Sequence, residues 1–437
     1  MKILVITLLY APDSGPNAHS VTPLVDRLVD AGHEVAVVAA MPHYGATAIY
    51  DGWRGSWWRL QRRPGLRVLR LRLYVPQRPD SKIGKALSWL SFNAYATPAA
   101  FLMGRPDVIL TLSPPYTLGL TAWLLGRLWR APYVYNVQDI YPDVVVQQGL
   151  VRNPRIISLM SRVERFIYRH AGAVTVLSEG ARRNLQSKGV PDEKLVVIPN
   201  VVDTRLLVPG QRRNAFAERF GLADHFVAMH AGNVGDSFGI ETIVEAARRL
   251  RNDSRVLLVM VGRGTKLPAL KAQCEHEDLT NVRFLPFQNR DTLGEMYASS
   301  DVQLVVQRRG FSRVSVPMKV YAIMSTGRPI VGSVDEDSDT AELIRLAESG
   351  ENAGPGDPAA LAALIQRLVD DRERLARLGV NGRRYVETHL APEGVAEAYS
   401  KCFASVGRGH GGSSGALARL RDGQRLSRHA PLAKPRR

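Results

Sequence analysis

The sequence predicts an α/β protein of two Rossmann-like domains, and three observations lead there. The chain has 437 residues, more than one hydrophobic core ordinarily serves, so two domains of about 150 to 200 residues each are expected. Short apolar strands alternate with amphipathic helices twice over, first across residues 1–204 and again across 205–391. The third observation is the stretch 315–333, SVPMKVYAIMSTGRPIVGS, which places a loop, a helix, a turn and a strand in immediate succession.

Residues 3–8 read as a first strand, because the apolar run is short, lacks a small-residue cleavage exit and meets Pro12; a signal peptide is not expected. A turn over 11–18, holding Gly15 and Asn17, leads to a helix closing near Gly32 and a strand over 34–39. The turn carries Ser14-Gly15-Pro16-Asn17 and so lacks the G-x-G-x-x-G of a dinucleotide site. Between residues 52 and 86, ten basic residues from Arg54 to Lys85 meet Asp80 alone, with Trp53, Trp57 and Trp58 interleaved. Arg70 and Arg72 alternate with Leu69, Leu71 and Leu73, which predicts a half-exposed strand. The run fits a solvated face, or an interfacial membrane patch beside the apolar residues 86–104. Single strands of nucleic acid use similar residues, but no nucleic-acid motif accompanies them and no such partner is expected. Residues 86–104 are uncharged yet interrupted by Pro98, so a buried or interfacial helix is expected there, not a membrane span.

A strand over 107–112 stops at Ser113-Pro114-Pro115 and a helix follows over 118–129. The next strand, 133–137, delivers Gln138 and Asp139 at its carboxyl end, where open parallel sheets place their ligands. A helix over 158–170, a strand over 173–177 and a helix closing near Gly189 lead to VVIPNVV at 196–202 and a linker over 204–211. In the second half, a strand over 226–230 feeds a loop over 231–239 with Gly232, Asn233, Gly235 and Gly239. A helix over 240–250 follows it, an arrangement whose backbone N–H groups can cradle phosphate. Strands over 256–261 and 282–286 lead to Gly262-Arg263 and Phe287-Gln288. A strand over 301–310 brings Arg308 and Arg309 to the loop before the 315–333 stretch. There Pro317 suits a first helical turn, Gly327 a helix end, and Lys319 stands where free N–H groups already favour an anion. Asp357-Pro358 starts a further helix, residues 392–405 form the last one, and 406–437 read as a disordered basic tail.

The Lys319 stretch, with Arg308 and Arg309 before it and acidic residues 335–339 after it, resembles the C-terminal signature of retaining GT-B glycosyltransferases of family 4. The Q-D-x-x-P run from Gln138 is similar to the bacterial capsule, O-antigen and colanic-acid branch, which includes L-fucosamine transferases. The resemblance implies a GT-B fold, two Rossmann-like domains facing a central cleft, with residues 1–204 and the returning helix 392–405 on the acceptor side. Residues 205–391 would bind a nucleotide sugar, with a UDP-linked donor expected. It implies that Lys319, Arg308 and Arg309 stabilise the departing diphosphate. Gly232, Asn233, Gly235, Gly239, Gly262, Arg263, Phe287, Gln288 and Pro317 would line the donor site, and Gly15, Asn17, Gln138 and Asp139 the acceptor side. The chain departs from the family where Asp236, Ser237 and Phe238 replace a basic residue before Gly239, and where Val314 and Ala322 replace the E-x7-E carboxylates. No metal and no resident cofactor are implied. The implied acceptor is a saccharide or a polyprenyl-diphosphate-linked saccharide, met on the cytoplasmic face of the plasma membrane by a peripheral protein.

Composition bounds the alternatives. A net charge of +17 and a pI near 10.1 suit an anionic partner. Cys274 and Cys402 are too few for a disulfide framework or a zinc site and fit a reducing compartment. Asp335-Glu336-Asp337 matches the D-x-D of metal-dependent GT-A transferases, but those lack a second Rossmann-like half. A sugar-nucleotide epimerase of GT-B architecture would need clustered carboxylates and histidines, which the sequence does not show. A non-catalytic basic protein that binds membrane or nucleic acid is the alternative of another class.

Overall fold

The computed structural model describes residues 1–78, 81–147, 149–202, 204–205, 207–235, 238–310 and 317–407. The chain divides into two compact units, one of residues 1–201 joined by the segment from Pro392 onward, the other Val202–Ala391. The sequence reading places these boundaries at 204 and 391. The basic tail falls almost wholly outside the described residues, as does Val314.

In the first unit the chain runs through β1 (Lys2–Thr7), α1 (Pro16–Asp30), β2 (Glu34–Ala40), β3 (Trp58–Arg63), β4 (Leu66–Leu71), α2 (Lys82–Phe101) and β5 (Val108–Leu112). It continues through α3 (Leu118–Trp129), β6 (Tyr133–Val137), α4 (Asp143–Gln147), α5 (Pro154–His170), β7 (Ala173–Val176), α6 (Glu179–Ser187) and β8 (Leu195–Val197). The sheet order is β3-β4-β2-β1-β5-β6-β7-β8, parallel throughout except for the β3–β4 pair. Every residue of β5, β6 and β7 is buried, as expected of strands covered on both faces. Phe92 and Ala96 of α2, Leu118 and Leu125 of α3, and Ile167 of α5 pack on one face. Leu24 and Leu28 of α1 pack on the other. The last helix, α15 (Pro392–Gly407), joins that second face through Tyr399, Cys402 and Phe403. Asn136 Nδ2 donates to Tyr399 Oη at 2.9 Å inside the core, which fastens the returning helix to β6.

The second unit runs through α7 (Ala215–Arg219), β9 (Phe226–Asn233), α8 (Glu241–Arg249), β10 (Val256–Arg263), α9 (Leu267–His276), β11 (Val282–Leu285) and α10 (Leu293–Ala298). Then come β12 (Val302–Val306), α11 (Met318–Ser325), β13 (Ile330–Ser333), α12 (Asp339–Leu346), β14 (Gly350–Asn352), α13 (Pro358–Val369) and α14 (Arg372–His389). Its sheet, β11-β10-β9-β12-β13-β14, is parallel in every pair. Asp357 caps α13 by accepting from the N–H groups of Ala359 and Ala360, the start that Asp-Pro encodes.

Three sequence expectations need correction. Helices α2 and α5 each begin four residues before the expected 86 and 158, because Ser81 and Asn153 cap them, accepting from the N–H groups of Gly84 and Arg155. The supposed loop 231–239 begins as strand, since Gly232 and Asn233 still pair with Gly262 and Arg263 of β10. The two strand ends approach so closely that a Cβ on Gly262 would lie 1.9 Å from the Gly232 carbonyl oxygen, so glycine is required there. Third, β4 is not half-exposed at Arg70, whose side chain is among the largest fully buried groups of the protein. Its guanidinium donates to Gln61 Oε1 at 2.8 Å, to the carbonyls of Tyr10 at 3.2 Å and Ala40 at 3.4 Å, and to that of Ala11. The Tyr10 and Trp53 rings lie against it at 5.5 and 4.9 Å. Burial lowers its pKa to about 10. The alternation misleads because the Tyr10–Ala11 turn after β1 and the Trp53 ring close over the side of β4 that would otherwise meet water, with Gln61 of the neighbouring strand β3 completing the enclosure.

Arg70→Ala is expected to destabilise the protein by about 3 kcal/mol, since it strips donors from buried carbonyls. Arg72→Ala, which removes an exposed cation lying over Trp57 at 5.1 Å, should cost less than about 1 kcal/mol. Urea midpoints of the two variants check the difference.

Candidate functional site

In the second unit the candidate residues gather at the carboxyl ends of β9, β10 and β12 and at the start of α11. Pro317, in extended backbone conformation, precedes the helix and accepts Val320 N–H at 3.0 Å. Lys319 in the first turn then points its Nζ to within 3.2 Å of His230 Nδ1 and 3.5 Å of the Leu304 carbonyl oxygen. The Phe238 ring stands 5.9 Å from the same atom. A Cβ at Gly232 would come 4.0 Å from Nζ, so the bare backbone there leaves the ammonium open on that side. Among the described residues no carboxylate pairs with Lys319. Burial draws its pKa down to about 7. Burial and the charge of Lys319 together hold His230 well below the usual imidazole value, so it is neutral. His230 Nδ1 also lies 3.3 Å from the Leu304 carbonyl oxygen, and its Nε2 is buried with no hydrogen-bond partner among the described residues.

Arg308 follows β12 and lies over Gly239, where a Cβ would sit 3.4 Å from its Cγ. Gly239 has φ +56°, a conformation that suits glycine. Arg309 is engaged elsewhere, donating to the Pro355 carbonyl at 3.5 Å. Arg263 rests over the exposed ring of Phe287 at 4.8 Å, so Phe287 is not a core residue. Gln288 Nε2 donates to the Pro286 carbonyl at 2.7 Å. Asn233 is exposed at the end of β9, with Gly235 beyond it. The acidic loop serves its own turn: Asp335 accepts Gly310 N–H at 2.7 Å, Glu336 accepts Asn352 Nδ2 at 3.0 Å, and Ser338 caps α12.

In the first unit a second group forms at the carboxyl ends of β1, β2, β5 and β6. Ser113 is its hub: its carbonyl accepts Asn17 Nδ2 at 3.0 Å and its Oγ accepts Gln138 N–H at 3.0 Å. Gln138 and Asn200 exchange side-chain hydrogen bonds of 2.8 Å in both directions, and Gln138 Nε2 also reaches Asn136 Oδ1 at 2.5 Å. Gln138 is thereby fully occupied. The Asp139 carboxylate beside it receives no hydrogen bond among the described residues, and burial pushes its pKa up. Gly15 precedes α1 where a Cβ would lie 2.3 Å from Leu9 Cδ1.

Sequence reasoning missed four residues. His230 is a fully buried polar residue near the end of an apolar strand, a pattern visible in FVAMHAGN. Asn200 stands in the VVIPNVV run. Asp13, buried in the first turn, accepts the N–H groups of His43 at 3.0 Å and Tyr44 at 3.3 Å. His43 Nδ1 lies 3.6 Å from the Asp13 carboxylate and 2.8 Å from the Met41 carbonyl. The one group sets an ammonium beside open backbone, a chemistry able to receive a phosphate-type anion. The other offers carboxylates and an imidazole to a polar ligand.

Residues 17–201 match the family described as glycosyl transferase 4-like domain, and residues 212–385 match glycosyl transferases group 1. The chain is 28% identical over 408 residues to WcaI of Escherichia coli K12, named as a colanic acid biosynthesis glycosyl transferase, covering 90% of this chain and 98% of that protein. It is 27% identical to the glycosyltransferase WbjE of Pseudomonas aeruginosa, over 61% of this chain and 67% of that one. Among solved structures, Anabaena HepE in complex with UDP superposes with a TM-score of 0.68 at 17% identity, over 93% of this chain and all (100%) of that one. The sucrose-phosphate synthase of Thermosynechococcus elongatus gives 0.71 at 20% identity, over 92% and 99%.

The low pKa of Lys319 sets a pH dependence. An anion binds the charged form, which the free protein holds only below about pH 7, so affinity for inorganic diphosphate is expected to fall as pH rises through 7. At pH 8 binding must take up a proton, which calorimetry in two buffers of different ionisation enthalpy measures. Lys319→Met should abolish that uptake.

Proposed function

The chain belongs to the GT-B glycosyltransferases of family 4, and we propose that it moves a sugar from a nucleotide donor to a saccharide or lipid-linked saccharide in polysaccharide biosynthesis. One observation carries the donor side: the Lys319 ammonium, without a carboxylate partner among the described residues, beside the open backbone of Gly232. In this reading it meets the diphosphate of the donor and stabilises the charge that develops as the sugar departs, with Arg308 completing the positive field while Arg309 stays with the Pro355 carbonyl. Arg263, Phe287 and Gln288 face the nucleoside portion. The likeness to HepE, solved with UDP, supports a uridine diphosphate donor.

The transfer proceeds with retention and without a metal. The electrostatic work that a divalent cation performs in other transferases falls here to side chains and to the first turn of α11. On the acceptor side, Asp139 is the group left to meet a sugar hydroxyl, while Gln138, saturated by Asn136 and Asn200, positions it. The likeness to WcaI favours a surface-polysaccharide product. The acceptor is a polyprenyl-diphosphate-linked saccharide met at the inner face of the plasma membrane. No described helix is long and apolar enough to cross a membrane, so contact is peripheral, and the exposed rings of Trp57 and Trp58 are of the kind that enters an interface.

Lys319→Ala is expected to lower kcat by about a hundredfold or more, the loss typical of removing one charge-stabilising group. Asp139→Asn should mainly raise the acceptor KM. Turnover unchanged by EDTA supports the metal-independent reading, and turnover that collapses with EDTA and returns with manganese overturns it. Thermal stabilisation across a panel of sugar nucleotides would name the donor.

A further inference from the structure

Helices α2, α3 and α5 form one layer over the first sheet, and their outward surface has an unusual composition. Neither α2 nor α3 contains an acidic residue. The single acid of α5, Glu164, is buried and held by Tyr168 and Lys188. The layer exposes large apolar side chains instead: Leu87 and Leu90 of α2, Leu124 and Leu128 of α3, Ile156 and Leu159 of α5. On α5 the apolar positions 156, 159, 163 and 166 recur at helical spacing beside a basic stripe at 155, 162, 165 and 169.

Where α5 ends, it flanks an open cavity of about 830 Å³. Arg162, Arg165, Arg169, Lys188 and Lys194 line it, and no carboxylate does. Lys188 is spent on Asp143 and Glu164, at 2.7 and 3.1 Å, and Lys194 on the carbonyls of Arg169 and Ala171. The three arginines are exposed and, among the described residues, pair with no carboxylate. Phe166 and His170, which also line the cavity, meet the Trp123 ring of α3 edge-on at 5.0 and 6.1 Å and so join α5 to α3.

We propose that this helical layer is the surface by which the protein lies on an anionic phospholipid bilayer, and that the arginine cavity receives lipid phosphate groups. This rests on the membrane reading of the preceding section and moves the contact from the β3 arginines to α5. The β3 run is a poorer candidate: Arg70 is buried, Arg63 pairs with Asp26, and Arg67 donates to the Met103 carbonyl. An acid-free basic surface interleaved with exposed leucines matches anionic headgroups and the acyl boundary beneath them. The orientation suits the reaction as well. Each helix runs from the carboxyl edge of the sheet to its amino edge, so the layer puts the cavity at the far edge and Ile156 and Leu159 toward the edge that holds Gln138 and Asp139.

Vesicle flotation tests it, with phosphatidylcholine alone and mixed with phosphatidylglycerol, at low and high salt. Replacing Arg162, Arg165 and Arg169 together by Ala should weaken partition onto the anionic vesicles by about a hundredfold. Leu128→Ser with Leu159→Ser should weaken it on both vesicle types. Stabilisation of each variant by the donor nucleotide shows that it folds and that the donor site is intact. Wild-type protein that floats, with the arginine triple variant unchanged and Trp57→Ala, Arg62→Ala, Arg63→Ala impaired, overturns the α5 surface while membrane contact stands. Wild-type protein that fails to float overturns both. If the triple variant loses stabilisation by inorganic phosphate yet floats normally, the cavity serves a soluble anion and the proposal fails.

Discussion

An ammonium group between a buried imidazole and a backbone carbonyl, with no carboxylate among the described residues to neutralise it, is the constraint on which the second unit turns. Lys319 is held there by three elements at once: α11 supplies the side chain, β9 supplies His230, and β12 supplies the Leu304 carbonyl. Such a group is costly to desolvate without an anion, which is why its proton is loosely held in the free protein. A bound diphosphate would remove that cost. The absence of a side chain at Gly232 keeps the space beside the ammonium clear, and glycine at 262 lets β9 and β10 approach one another there.

The first unit meets a comparable demand with a different device. Arg70 reaches from β4 to the carbonyls of Tyr10 and Ala11 after β1 and of Ala40 at the end of β2. Those carbonyls open the two turns that carry Asp13, Gly15, Asn17 and His43. A buried guanidinium thus fixes the segments that present the polar groups, and Ser113 ties them to Gln138 from the neighbouring strand. The charge of this arginine is structural, so the basic composition of residues 52–86 overstates how much positive surface the region offers.

The surplus of positive charge is distributed unevenly. Many arginines of the second unit are answered by carboxylates, as Arg248 is by Glu245 and Glu277 and Arg255 by Asp253 and Asp370. Among the described residues the arginine face of α5 is not, and it adjoins exposed leucines. A net charge alone does not distinguish these cases; pairing does.

The sequence by itself determined the two-fold alternation of strand and helix, the helix that follows Pro317 with Lys319 in its first turn, and the placing of Arg308 and Arg309 after β12. Each of these depends on residues close in the chain: apolar periodicity, a proline, a glycine, a cap. Tertiary structure alone decided the neighbours. That His230 touches Lys319, 89 residues away, and that Gln138 pairs with Asn200 across 62, follow from which strands lie side by side, and local spacing carries no record of that order. Arg70 shows the reason most plainly. Its alternation with leucines is the pattern of a strand with one wet face, and only the turn at Tyr10 and Ala11 and the ring of Trp53, brought over it from elsewhere in the chain, turn that face into core.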